Sequence, residues 1–285
     1  MKLLLVRHLW GVDLSHGFGP HLGRWREVGY QAIEASPRMV PDARELKRVL
    51  KSQGLRWIPQ VFSNMLEGGG TVVAHLRSLR EQIEECLDAE PLFLNTHSGS
   101  DAWTPNEAED FYGNVGELEA KFGVACCHET HRSRYFGNPW NTYRLIQRMP
   151  SLKLTADFSH WVCVAERLLA DAEQLFATII PHCRHIHARV GYEEGPQVPD
   201  PRAPEWQGHL QIHEQWWDAI WLAQEKTGAG ITTLTPEFGP PPYQHTLPFT
   251  CQPVADLTSI CDWMAQRQMR RFASLSSGAS PKSGA

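Results

Sequence analysis

Eight short apolar runs constrain this chain more than any other feature. Each turns polar towards its end, and most are followed by an amphipathic stretch at helical spacing. The runs are KLLLVRHLW, QAIEAS, LRWIPQVFS, PLFLNTHS, GVACCHETH, LKLTADFSH, HIHARVG and ITTLTPEFG. Residues at their ends, His8, Glu34, Phe62, His97, Glu129, Asp157 and His187, recur about every 30 residues, the repeat expected of ~250 residues divided into eight units. Strand–helix alternation at that period predicts parallel strands and a single-domain α/β fold, a (β/α)8 TIM barrel over residues 1–272.

The helical stretches are VVAHLRSLREQIEECLDA, WNTYRLIQRM, VAERLLADAEQLFATII, EQWWDAIWLAQEKTG and DLTSICDWMAQRQMRRFASL. From His187 to Glu237 the step is longer by about 20 residues, and GYEEGPQVPDPRAPEWQGHLQ reads as an inserted loop over the barrel mouth. The tail, residues 273–285, is low in complexity and reads as disordered. GGG at 68–70 lacks the Lys-Ser/Thr of a phosphate loop and reads as a mobile connection, so a phosphorylated substrate has no support.

In such barrels chemistry is done at the C-terminal ends of the strands, which is where these runs become polar. Side chains two apart on a strand share a face. That groups Cys127 with Glu129 and His131, Lys153 with Thr155 and Asp157, His185 with His187 and Arg189, and Thr233 with Thr235 and Glu237. The other parity holds Leu154, Ala156, Ile186, Ala188 and Leu234, which suit packing against outer helices. The polar set therefore points inward.

Three carboxylates, Glu129, Asp157 and Glu237, then surround one imidazole, His187. Uncompensated, that gathering would cost several kcal/mol per ion, and a divalent cation removes the cost. Oxygen-rich ligands with one nitrogen suit one ion, Mn²⁺ first, with Mg²⁺, Co²⁺ or Zn²⁺ as alternatives. The competing reading is four unrelated strand-end groups, with Asp157 as a helix N-cap. Common period and common parity argue against it. His97 and His131 fall on the same face and either extend the site to substrate or stand behind it as satisfied histidines. Either His8 or Glu34 could line the pocket, though core or capping roles suit them better. Trp10, Trp103 and Trp206 could stack on a ring, whereas Trp216, Trp217 and Trp221 read as helix packing.

HETHR, ADFSHW, HIHARVG and TPEFGPPPY, in this order, resemble the strand ends of the xylose isomerase-like barrel superfamily. That group includes sugar isomerases, ketose epimerases, dehydroshikimate-type dehydratases and endonuclease IV enzymes. The resemblance implies that Glu129, Asp157, His187 and Glu237 bind the metal, that Glu129 and Glu237 also move protons, and that His160 and Arg189 contact substrate. His160 could instead be a helix-start residue or a second metal ligand, and Arg189 could pair with Glu193 or Glu194. The leading expectation is a metal-dependent sugar isomerase or epimerase working through an enediolate. The alternative is a lyase or dehydratase using the same enolate. An endonuclease IV-like enzyme is disfavoured, because WIPQVFS offers no histidine and DPR stands where the nuclease pattern has Asp-x-His. Relatives often pair or form tetramers, which implies a homo-oligomer, a dimer or tetramer.

The substrate that the resemblance implies is a small carbohydrate-like molecule, and bulk properties argue only against polyanion partners. A net charge of −5 gives no general pull toward nucleic acid or anionic membrane. No apolar run approaches the ~20 residues that span a bilayer, and MKLLLVRHLWG fits a first strand better than a signal peptide. Seven cysteines without a CxxC pair suggest neither a disulfide framework nor a zinc ribbon, and a reducing cytoplasm is expected.

Overall fold

A computed structural model of the chain describes residues 1–40, 42–63 and 70–277. Eight parallel strands close into a barrel in sequence order, with β8 returning to β1. They are β1 Lys2–His8, β2 Tyr30–Ala35, β3 Arg56–Phe62, β4 Leu94–His97, β5 Cys126–Glu129, β6 Lys153–Ala156, β7 Cys183–His187 and β8 Ile231–Thr235. The described helices are α1 Gly19–Val28, α2 Ala43–Gln53, α3 Val72–Cys86, α4 Pro105–Phe122, α5 Pro139–Arg148, α6 Phe158–Ala165, α7 Glu173–Ile179, α8 Gln207–Lys226 and α9 Leu257–Ser276. The TIM barrel expected from the sequence is the fold observed.

Local chemistry marks the helix ends. Thr104 and Glu107 form a capping box ahead of α4, Pro105 fills its first position, and Gly123 closes it in the left-handed conformation. Asp42, Asn138 and Asp256 cap α2, α5 and α9 through side-chain oxygens.

The strand parity read from the sequence holds. Leu154, Ala156, Ile186, Ala188 and Leu234 belong to the large apolar layer between strands and helices, together with Trp216, Trp217 and Trp221 of α8. Inside the barrel, Val6, Ala32 and Ile58 form a small separate apolar plug, backed by Leu92 and Phe93. One residue pair further along those strands the interior becomes polar, at His8, Glu34 and Gln60. Apolar packing therefore fills the lower interior and leaves the C-terminal end to polar groups.

Four expectations change. VAERLLADAEQLFATII is two helices, because Glu166 ends α6 at φ 51 and Leu169 turns into the core at φ 50. Helical periodicity cannot register such left-handed residues. The loop after β7 ends sooner than expected, since α8 begins at Gln207. Helix α9 runs to Ser276, so the boundary expected at 272 falls inside it; residues 278–285 lie outside the described residues, as do Gly68 and Gly69 of the GGG run. Finally, Asp157, Arg189 and Glu237 stand just beyond the last strand residues rather than within them.

All seven cysteines are unpaired, and Cys126 and Cys127 are buried. No helix among the described residues is long and apolar enough to cross a membrane.

Candidate metal centre

The base of the site is Glu34. It is fully buried at the end of β2, and its two oxygens meet four donors. His187 Nε2 at 3.0 Å and Asn95 Nδ2 at 2.9 Å bond one oxygen; His185 Nε2 at 3.1 Å and Thr235 Oγ1 at 2.5 Å bond the other. Burial works to raise the Glu34 carboxyl, but His187 and His185 hold it well below the usual carboxylate range. This anchoring assigns the proton of His187 to Nε2 and turns Nδ1 to the opposite side.

Nδ1 of His187 faces three carboxylates. It lies 2.9 Å from Glu237 Oε2, 3.6 Å from Glu129 Oε2 and 3.7 Å from Asp157 Oδ2. Glu129, Asp157, His187 and Glu237, all buried, each offer one ligand atom within 4.8 Å of the others. Glu129 Oε1, His187 Nδ1 and Glu237 Oε2 are buried with no aligned hydrogen bond. Orphaned acceptors turned toward one point are the arrangement a cation satisfies, so the residues fit a divalent ion. Burial alone would lower the His187 pKa, yet Glu237, Glu34 and Glu129 raise it well above the ordinary histidine value, so a proton and a cation compete for Nδ1. Burial raises the Asp157 carboxyl, with Arg189 opposing it. Against burial, His187 and Arg189 hold Glu237 down to about 2.

Around these four lies a ring of polar supports. His97 Nε2 sits 2.8 Å from Glu129 Oε2, and Asn95 Nδ2 donates to the same oxygen at 2.8 Å. Trp10 N–H donates to His8 Nδ1 at 2.8 Å, which leaves the His8 proton on Nε2, 3.2 Å from Glu237 Oε1. Gln60 bridges His8, His97 and Glu237. Arg189 pairs with Asp157 and, at 3.4 Å, with Glu237 Oε2, while Glu193 pairs with His209 instead. Asp157 is also the N-cap of α6, accepting from Ser159 N at 3.2 Å. Its capping and site roles coexist.

A cavity of about 470 Å³ opens above the cluster. His97, Glu129, His131, Arg189 and Glu237 line it; His160 does not. His160 was expected to meet substrate, but α6 starts directly at Asp157 and its first turn carries the imidazole behind Arg189. There Nε2 accepts from Arg189 at 2.7 Å and the ring packs 4.0 Å from His131. Burial holds His131 down to about 3 and His160 well below the histidine range, so both are neutral acceptors. Trp10 lines the cavity, whereas Trp103 bonds the Gly70 carbonyl and Trp206 packs on Tyr192. No residue of the loop after Arg189 reaches the cavity wall until Glu237.

Sequence reasoning missed Asn95, Gln60 and Tyr243 altogether. The first two had a signal: inward parity beneath and beside His97. Tyr243, which sits under Arg189 with its ring 5.1 Å from the guanidinium, had none beyond its place in TPEFGPPPY.

No family model and no curated protein matches the chain. Solved structures do match in shape. A xylose isomerase-like TIM barrel protein from Mycobacterium smegmatis in complex with magnesium aligns at TM-score 0.62 and 15% identity, covering 95% of this chain and 97% of that one. A sugar phosphate isomerase/epimerase from Parabacteroides distasonis aligns at TM-score 0.61 and 10% identity over 95% and 98%. A 3-keto-D-glucoside 4-epimerase from E. coli aligns at 0.59 and 10% over 95% and 100%. The same shape matches a probable 3-DHS dehydratase from Bacillus anthracis and an AP endonuclease from Brucella melitensis. At these identities the likeness establishes architecture, and that architecture hosts several reactions. The chain has the fold of the xylose isomerase-like TIM barrels, with a buried His/Glu/Asp cluster as a candidate metal centre at its C-terminal face.

Proposed function

We propose that the chain is a divalent-metal-dependent sugar isomerase or epimerase that abstracts a proton next to a carbonyl. The observation that carries this reading is the convergence of Glu129, Asp157, His187 and Glu237 on one point below a cavity that both glutamates line. Mn²⁺ is the ion we assign, on the strength of three oxygen donors and one nitrogen. Held by those four residues, it would polarise a carbonyl and stabilise the enediolate formed on loss of the neighbouring proton.

The protein's own groups supply the rest. Glu129 and Glu237 reach the cavity from β5 and from beyond β8, on different sides of the barrel. Both carboxyls are held low, Glu129 chiefly by His97 and His187 against burial, so each is ionised, the form a general base requires. One glutamate removes the proton and the other returns it, to the same carbon for epimerisation, or to the former carbonyl carbon for isomerisation, with the neighbouring hydroxyl proton passing to the former carbonyl oxygen. Arg189, held by Asp157 and His160, presents a fixed guanidinium to substrate hydroxyls; His97 and His131 offer further polar contacts.

The test is solvent exchange. Protein reconstituted with Mn²⁺ in D₂O should place deuterium beside the carbonyl of a keto or aldo sugar. Glu129→Gln and Glu237→Gln should each slow this by about 10²–10⁴-fold while remaining folded. No exchange across a broad sugar panel would sink the reading. Release of water or of a leaving group from the exchanging substrate would assign the lyase chemistry instead.

A further inference from the structure

The cavity has two unlike halves. Its floor is polar, built from His8, Gln60, His97, Glu129, Arg189 and Glu237. Its outer wall carries Leu9, Trp10, Val12, Leu14, Val40 and Phe62, from the chain after β1, the chain after β2 and the end of β3, with Ser15 and Ser36 among them. We propose that this wall is a binding subsite for an apolar, aromatic-sized substituent, so that the substrate is a carbonyl sugar bearing an aglycone rather than a free sugar. The inference rests on the sugar reading of the floor.

Three observations support it. A free sugar carries hydroxyl groups around its ring, and pressing them against Leu9, Val12, Leu14 and Val40 would bury them unpaired. The cavity volume of about 470 Å³ lies within the ~300–1,000 Å³ range of sites that enclose drug-sized ligands. The wall is also built rather than incidental. Trp10 is held by the hydrogen bond its backbone N–H donates to His8 Nδ1 and by edge-on packing of its indole against Tyr243, with ring centres 4.9 Å apart. Its indole rests on Gly239, where any Cβ would run into the ring. Gln197 clamps that glycine from behind, accepting from its N–H at 2.7 Å and donating to its carbonyl at 3.1 Å. A tryptophan seated this firmly on backbone is suited to stack on an apolar group.

Calorimetric titration with phenyl β-D-glucoside and with D-glucose tests the proposal. Wild-type protein should bind the phenyl glucoside at least about tenfold more tightly. Trp10→Ala, and separately Leu14→Asp, should remove most of that preference. Leu14 is only partly buried in a surface loop, so its replacement leaves the barrel intact, and circular dichroism verifies this. Equal affinity for the two probes, or a preference that survives both substitutions, overturns the inference. Solvent exchange at a keto sugar bearing a phenyl aglycone reads the proposed reaction separately: exchange without phenyl preference removes the subsite alone, and phenyl preference without exchange at that substrate removes the reaction alone.

Discussion

At the scale of single residues, Glu34 does the most with the least access to solvent. Four donors on two oxygens leave it no role as a ligand for substrate; its function is to fix which nitrogen of His187 faces the carboxylates. Removing such a partner typically weakens a metal site by about 10–100-fold. Glu34→Gln should therefore raise the Mn²⁺ dissociation constant by about that factor with the helical signal unchanged, as calorimetry would show. An unchanged constant would reduce Glu34 to core filling. In the sequence this residue was legible only as a polar break in QAIEAS, because a carboxylate that orients a ligand and one that caps a helix leave the same letter at the same place. Glu129, Asp157, His187 and Glu237 were legible because period and parity together placed them on one rim.

At the scale of elements, the chain after β7 holds the site from outside. Gly191 lies so close to α6 that a Cβ would stand 2.5 Å from the Ser159 carbonyl oxygen. Gly191→Ala should displace the first turn of α6, where Asp157 and His160 sit, and cost about 1–3 kcal/mol in a denaturant melt. His213 of α8 accepts from Gly191 N–H at 3.3 Å and donates to the His209 carbonyl at 2.8 Å. Burial pushes His213 down to about 4, below its unfolded value near 6.5. Between those values the unfolded chain takes up a proton that the folded protein refuses. Stability is thus present above pH ~6.5 and falls toward pH ~4, by up to about 1.4 kcal/mol per pH unit. His213→Gln should flatten that slope in urea melts at successive pH values. Strand order was readable from the repeat, but this loop was read as a cover for the mouth. It packs against the first turn of α6 and behind Gly239 instead, a tertiary choice that Pro and Gly content does not encode. The break between α6 and α7 escaped for a related reason, since Glu166 and Leu169 are ordinary letters in unusual conformations.

At the scale of the whole molecule, a cation held by the four convergent groups would couple binding to folding. Orphaned, buried acceptors destabilise the metal-free barrel, and an ion that binds only the folded form stabilises it by mass action. Mn²⁺ at a hundredfold over its dissociation constant should add about 2.7 kcal/mol, seen as a higher Tm that EDTA reverses. Asp157→Asn should lose most of that increment; a full increment in the variant would place the ion elsewhere. The two halves of the cavity also come from different parts of the chain. Every residue of the apolar wall precedes position 63, and the four convergent groups begin at 129. The proposed apolar wall and the four convergent groups thus lie in separate stretches of the chain, with Glu34, Asn95 and His97 of the first half supporting the groups of the second. Exchange of the segments after β1 and β2 alone, with Glu34, Gln60, Asn95 and His97 left in place, could alter the wall and keep the four groups supported, so a lineage of such barrels can diversify its diet without reinventing its reaction.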